Sequence, residues 1–244
     1  MFDNPSTKNL FRHYERIYVV EDDFRNYNLS VLVAGLAYGK KILDLGCGSG
    51  FLLDHLSHMG FQTIGIEPNE ETIGLAKKRN AALDIRKGDA EELDSLVLDE
   101  VDTVFAIDVL EHIEDDVSIL KKIRRHLCSG GRLVAVVPAY PWLYGKRDQK
   151  YGHFRRYSQK KFEDVLRMEG FQVRVSRHWN ILGLLPYIFY EKILRRELEI
   201  GLREKKIGLI NFLFKKLLHF WFSFIENKVN FGLGLSIVIV AEKN

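Results

Sequence analysis

Cysteine is scarce in this chain: 244 residues contain two, Cys47 and Cys128. Two thiols cannot build a disulfide framework and are too few to ligate a structural zinc ion. Also missing is any run of about 18 consecutive apolar residues, so a conventional membrane-spanning helix is not expected. The first residues, MFDNPSTKNLFRHYER, are polar and charged and hold no apolar signal region. Charge of one sign is not in excess either. The net is +3, too little for the chain as a whole to attract nucleic acid. There is no internal repeat and no low-complexity tract. These absences leave an ordinary cytoplasmic protein, and the composition agrees. Hydrophobic residues at 46% and charged residues at 28% suit a soluble globular chain long enough to bury a sizeable core.

One segment departs from that average. Residues 179–231 hold 11 of the 29 aromatic residues and nine Lys/Arg against five Asp/Glu. The small net charge is therefore a sum of unlike parts, with a basic, aromatic stretch near the C-terminus.

From residue 40 to 178, short β-branched runs alternate with helical patterns. Strands are expected at 40–45, 61–67, 83–89, 101–108, 131–138 and 171–178, and helices at 51–60, 69–80, 115–127 and 158–170. Asn69 is placed to cap the second helix, Gly60 to close the first, and the run 128–131 to stop the third. Such alternation implies βαβ units, with a ligand beyond the carboxyl ends of the strands. A final strand is expected within 233–244. Before it, helices around 182–196 and 204–228 form an insertion spanning 179–231. Along the second, Asn211, Lys215, His219, Ser223 and Asn227 recur every four residues, a narrow polar stripe on a Leu/Phe/Trp helix that needs apolar cover elsewhere.

The chemistry starts at ILDLGCGSG (42–50). Glycines at 46, 48 and 50 let the backbone approach a ligand closely. The spacing is not that of dinucleotide binders or of a P-loop, and no lysine is present to neutralise phosphate. Asp44 would repel a pyrophosphate but suits an ammonium, so a ligand carrying both carboxylate and ammonium is indicated. Glu67 ends the second strand, where it could accept from both hydroxyls of a ribose; a helix cap is the bland alternative. Asp89 and Ala90 follow the third strand, placed for an exocyclic adenine amine and its neighbouring acceptor, or for a simple turn. Asp108, Leu110, Glu111 and His112 lie past the fourth.

As a set, Asp44-Leu-Gly-Cys-Gly-Ser-Gly50, Glu67, Gly88-Asp89-Ala90 and Asp108-Val-Leu-Glu-His112 resemble the successive motifs of class I S-adenosylmethionine-dependent methyltransferases, over about residues 40–140. The resemblance implies an α/β, Rossmann-like, seven-stranded, mostly parallel sheet with an antiparallel last strand and helices on both faces. It implies one methyltransferase domain over 1–244, with an N-terminal helical cap at 1–39 and a helical insertion at 179–231 before the last strand. S-adenosylmethionine would be the cofactor and S-adenosylhomocysteine the product. Asp44, Gly46, Cys47, Gly48 and Gly50 would contact the methionine part, Glu67 and Pro68 the ribose, and Asp89 with Ala90 the adenine. Asp108, Leu110 and His112 would line the methyl-donor side. No metal site is expected.

Methyl transfer from a sulfonium is an in-line displacement in which the protein aligns the acceptor, excludes water and, for an oxygen acceptor, takes a proton. His112 and His153 are the expected bases, with Tyr157 beside them. The connection PAYPWLYGKRDQKYGHFRRYS (138–158) interleaves aromatics with Lys and Arg. Tyr140, Arg155 and Arg156 are expected to bind the acceptor, since guanidiniums suit carboxylate or phosphate and rings suit sugars. This wording also resembles bacterial enzymes related to ubiquinone-pathway methyltransferases, which implies a small-molecule, lipid or sugar acceptor. Nucleic acid is the weaker reading, because no recognition domain or Asn/Asp-Pro-Pro-aromatic signature is present. Two further readings compete, a Rossmann-like oxidoreductase and a non-catalytic S-adenosylmethionine-binding module. The insertion reads as a lid, a homodimer contact or a membrane-surface element, the last placing the protein at the inner face of the membrane.

Overall fold

Strand side chains point alternately to opposite faces, so apolar residues on both faces of a strand demand cover on both sides. The computed structural model describes residues 24–194 and 209–244. In chain order these form α1 (Phe24–Ala34), β1 (Lys41–Leu45), α2 (Phe51–His58), β2 (Gln62–Glu67), α3 (Glu70–Arg79) and β3 (Asp84–Lys87). There follow α4 (Leu93–Leu96), β4 (Val101–Ile107), α5 (Asp116–His126), β5 (Leu127–Pro138), α6 (Lys146–Tyr151), α7 (Gln159–Met168) and β6 (Phe171–Trp179). Last come α8 (Ile181–Tyr187), α9 (Leu209–Trp221) and β7 (Ser236–Lys243). Both α8 and α9 run on into wider turns, over Ile188–Ile193 and Phe222–Glu226.

The seven strands form one sheet in the order β3-β2-β1-β4-β5-β7-β6, with β7 antiparallel to both neighbours and the pairs from β3 to β5 parallel. Ile42, Phe105, Val134 and Val238 face one side, packed by Leu29 and Val33 of α1 and Leu52 and Leu56 of α2. Leu43, Val104, Leu133 and Ile239 face the other, packed by Leu93 of α4, Ile119 and Ile123 of α5, and Phe162 and Leu166 of α7. Each such fully buried side chain contributes about 1.5–3 kcal/mol. This is the α/β sheet with helices on both faces, an antiparallel last strand and helices before it.

Differences from expectation have local causes. Asn69 does cap α3, accepting from Thr72 N at 2.8 Å. The run 128–131 ends α5 but lies within β5, because the ladder steps from Val101–Leu127 to Thr103–Arg132 and absorbs the glycines as a bulge. Two short helices, α4 and α6, escape the periodicity reading because four to six residues are too few to show it. Of the expected N-terminal cap, 24–34 is helical and 1–23 lies outside the described residues, as does 195–208 of the insertion, with Lys205 and Lys206.

From His219 to Asn227 the polar stripe of α9 and its continuation is turned to α1. Asn28 of α1, 1% exposed, bonds His219 Nδ1 at 3.1 Å, accepts from Ser223 Oγ at 2.7 Å, and its carbonyl accepts from Asn227 Nδ2 at 2.9 Å. The stripe is thus a hydrogen-bonded seam between helices. Among the described residues no helix is long and apolar enough to cross a membrane.

Candidate active site

The turn after β1 needs its glycines for the chain's own packing. Gly46, Gly48 and Gly50 all have φ between 54° and 71°, a left-handed backbone that favours glycine. A Cβ at Gly46 would lie 2.5 Å from Val109, and one at Gly50 would lie 2.9 Å from Ala76 of α3. The chain's own packing is thus a sufficient reason for these two positions to lack a side chain. Without side chains there, α3 and the loop after β4 close on the turn. Its amides are also engaged: Gly46 N and Cys47 N both donate to Ile66 O, at 2.8 and 2.9 Å, and Gly50 N donates to Cys47 O at 3.0 Å. A phosphate would find these donors occupied. The Cys47 side chain is buried in a small cluster with Leu53 and Leu83, so only its backbone faces the turn.

Two carboxylates meet behind this turn. Asp44 is 3% exposed and makes no ion pair or side-chain hydrogen bond with any described residue. Burial, with Glu67 nearby, pushes its pKa up to about 8. Glu67, 5% exposed, accepts from Gly48 N at 3.1 Å and Asn69 N at 3.0 Å. Burial raises it to about 7 against those two donors. Of the two anticipated roles of Glu67, these bonds show the one at the helix start: the side chain ties the glycine turn to the start of α3, with Pro68 between. An unpaired buried carboxylate is a seat for a cation.

At the end of β3, Asp89 is exposed and accepts from Glu91 N at 3.1 Å, while Glu92 accepts from Asp89 N. This capping box holds Ala90, 7% exposed, at the start of its turn. At the end of β4, Asp108 adopts φ 54° and pairs with Arg25 of α1 at 3.1 Å. Leu110 has its side chain fully buried in the core, so on the methyl-donor side only its backbone can reach a ligand. Glu111, 1% exposed, has one carboxylate oxygen without a partner among the described residues, and burial followed by Asp108 raises its pKa well above the ordinary range. Phe154 N donates to the Glu111 carbonyl at 2.7 Å, joining this loop to the 138–158 connection.

That connection is organised around a residue the sequence reading did not single out. Asp148 of α6 is fully buried and receives His153 Nδ1 at 3.0 Å, Arg156 Nε at 2.9 Å and Gly145 N at 2.9 Å. Burial alone would raise its pKa; the His153 and Arg156 bonds hold it at about 2. The acid five residues before His153 was the available signal. The His153 ring stands edge-on to His112, centroids 4.6 Å apart. Burial, then His153, lowers His112 to about 4, so His112 is neutral near pH 7 and weakly basic.

Three of the expected side chains are engaged within the protein. Arg156 is 8% exposed and committed to Asp148, the Ala139 carbonyl and the Tyr187 hydroxyl, so it cannot offer its guanidinium to an acceptor. Arg155 pairs with Asp116 at 2.8 Å and bonds the Glu114 carbonyl. Tyr157 donates to Asp116 at 2.7 Å, and burial followed by that bond raises its pKa, so it is a brace and not a base. Tyr140 keeps a role open: its ring stacks on His178 at 5.2 Å and its buried hydroxyl has no partner among the described residues. No metal was anticipated, yet Glu111, His112 and His153 present ligand-capable atoms within 4.8 Å of one another, close enough to share a cation.

Residues 43–135 match a family described as a methyltransferase domain. The ubiquinone biosynthesis O-methyltransferase of Aeromonas salmonicida is 34% identical over 116 residues, 46% of this chain and 49% of that protein. Its namesake from Bradyrhizobium diazoefficiens is 33% identical over 48% of this chain and 47% of that one. The chain thus spans about half the length of these curated relatives. Among solved structures, a Thermotoga maritima protein described as a possible histamine N-methyltransferase superposes with TM-score 0.61 at 21% identity, covering 96% of this chain and 95% of that one. A plantazolicin methyltransferase crystallised with S-adenosylhomocysteine superposes with TM-score 0.63 at 15% identity over 100% and 93%. The motif order of residues 44–112, the order of the strands and the match over residues 43–135 agree: this part of the chain is similar to a methyltransferase domain.

Proposed function

We propose that this protein transfers a methyl group from S-adenosylmethionine to an oxygen, or less readily a nitrogen, of a small-molecule, lipid-linked or sugar acceptor in the cytoplasm. The residues present fit that cofactor. Asp44 offers an unpaired buried carboxylate to the ammonium of its methionine part, and Glu67 offers two oxygens at the tip of β2 to its ribose. When bound, the cofactor supplies the electrophilic methyl group.

The Asp148–His153 pair carries the choice of oxygen. A hydroxyl acceptor must lose a proton during attack, whereas a neutral amine needs orientation alone. With Nδ1 held by a buried carboxylate, His153 takes a proton at Nε2, and Asp148 stabilises the imidazolium that results. Neutral His112 packs edge-on beside it and restricts the ring. The names of the curated relatives, O-methyltransferases, support the same reading.

The test is turnover to S-adenosylhomocysteine with quinone-precursor, sugar and lipid acceptors. His153→Ala should lower turnover on the order of 10²–10⁴-fold while leaving cofactor affinity, measured by calorimetry, within about twofold of the parent. A parent protein that binds the cofactor but turns over no acceptor would favour the non-catalytic binding module. Equal turnover by the parent and His153→Ala would remove the base.

A further inference from the structure

The insertion before β7 has its polarity reversed. His219, Ser223 and Asn227 turn inward to Asn28, and the outward side carries Leu213, Leu217, Phe220 and Phe224, each 53–63% exposed. Their spacing of three and four residues puts them on one side of the helix. On α8 and its continuation, Leu182, Leu185, Phe189 and Ile193 repeat that spacing at 41–76% exposed, while Leu184 and Tyr187 are buried. Solvent-exposed apolar stripes of this extent mark a surface that meets something.

Charge says what it meets. Between 180 and 235, the acids of the described residues are Glu191 and Glu226, and both are buried. Glu226 accepts from Asn180 N at 2.8 Å, Ile181 N at 3.1 Å and Trp221 Nε1 at 2.8 Å, capping α8 from inside. The bases Lys192, Lys215, Lys216 and Lys228 are all partly or fully exposed, and Lys228 lies 5.5 Å from the exposed Phe224 ring. A second copy of the chain would bring these lysines toward one another across a two-fold interface. An anionic bilayer instead takes apolar side chains among its acyl chains and lysines among its headgroups.

We propose that the outer faces of α8 and α9 dock this protein on an anionic lipid surface, lying on the bilayer and not crossing it. The inference goes beyond methyl transfer and holds whatever the acceptor is. It also places chemistry at the membrane, since Lys192 bonds the Tyr144 carbonyl at 2.8 Å and Tyr187 bonds Arg156, so α8 rests on the connection that holds His153.

The full-length protein should float with phosphatidylcholine/phosphatidylglycerol vesicles at low salt and stay behind with phosphatidylcholine alone. Lys215→Gln/Lys216→Gln/Lys228→Gln should weaken partitioning on the order of a hundredfold. Leu185→Ser/Phe189→Ser/Leu217→Ser/Phe220→Ser should abolish it, with S-adenosylmethionine titration showing that each variant keeps its fold. Failure of the parent to bind anionic vesicles overturns the proposal, as does undiminished binding by both variants. A parent that dimerises in light scattering and ignores vesicles assigns the face to a second copy instead.

Discussion

Asp44 shows how one buried side chain couples ligand and pH. Its pKa moves from 3.8 to about 8 in the folded chain, so between those values the folded state holds a proton that the unfolded state has released. Stability of the ligand-free protein is then greatest at the acid end of that window and declines as pH rises through it. Glu67, raised to about 7, adds in the same direction. Thermal melting without cofactor should show the midpoint dropping from about pH 5 to about pH 8, with a shallower drop in Asp44→Asn. A flat midpoint in the parent refutes the burial argument. Binding an ammonium requires the ionised carboxylate, so cofactor affinity should rise over the same range and fall in Asp44→Asn. Asp148 works in the opposite sense: its carboxyl, held at about 2, is ionised at all ordinary pH. Asp148→Asn strands the Arg156 charge in the interior and should cost about 3–5 kcal/mol in denaturant titration. It should also move the acid limb of the turnover profile, a change that loss of packing alone would not bring.

Among the elements, the turn between β1 and α2 and the seam between α1 and α9 do the organising. Gly50→Ala combines φ 71° with a 2.9 Å approach to Ala76, so a loss of roughly 1–3 kcal/mol is expected by chemical denaturation. Gly60→Ala, also at positive φ but with open space around it, should lose only the backbone part. The seam is tested by Asn28→Ala, which strips partners from His219 and Ser223 together and should cost about 1–3 kcal/mol. A neutral result would mean that water replaces the Asn28 amide without loss. The four-residue recurrence from Asn211 to Asn227 was legible as a stripe, but its direction was not. A helix repeat says which residues share a side and says nothing of what that side meets.

For the molecule as a whole, the proposed cofactor would also be a structural partner. A ligand held at about 100 times its Kd stabilises by about 2.7 kcal/mol, which for a chain of this size raises the melting midpoint by roughly 5–10 °C. S-adenosylhomocysteine should do this, and a nicotinamide cofactor at the same concentration should not, because the amides of the glycine turn are already engaged. A shift with the nicotinamide cofactor would reopen the oxidoreductase reading.

Strand and helix alternation, the glycine turn and the carboxylates at the strand ends were determined by the sequence itself, because each rests on local periodicity or on neighbours a few residues apart. The tertiary structure decided what those residues do. It committed Tyr157, Arg155 and Arg156 to Asp116 and Asp148. It put Leu110 in the core, and it turned His219, Ser223 and Asn227 toward α1 while leaving Leu213, Leu217, Phe220 and Phe224 exposed. Burial and partnership are set by groups distant in the chain, such as Asn28 and Ser223, 195 residues apart, and no local pattern carries that information.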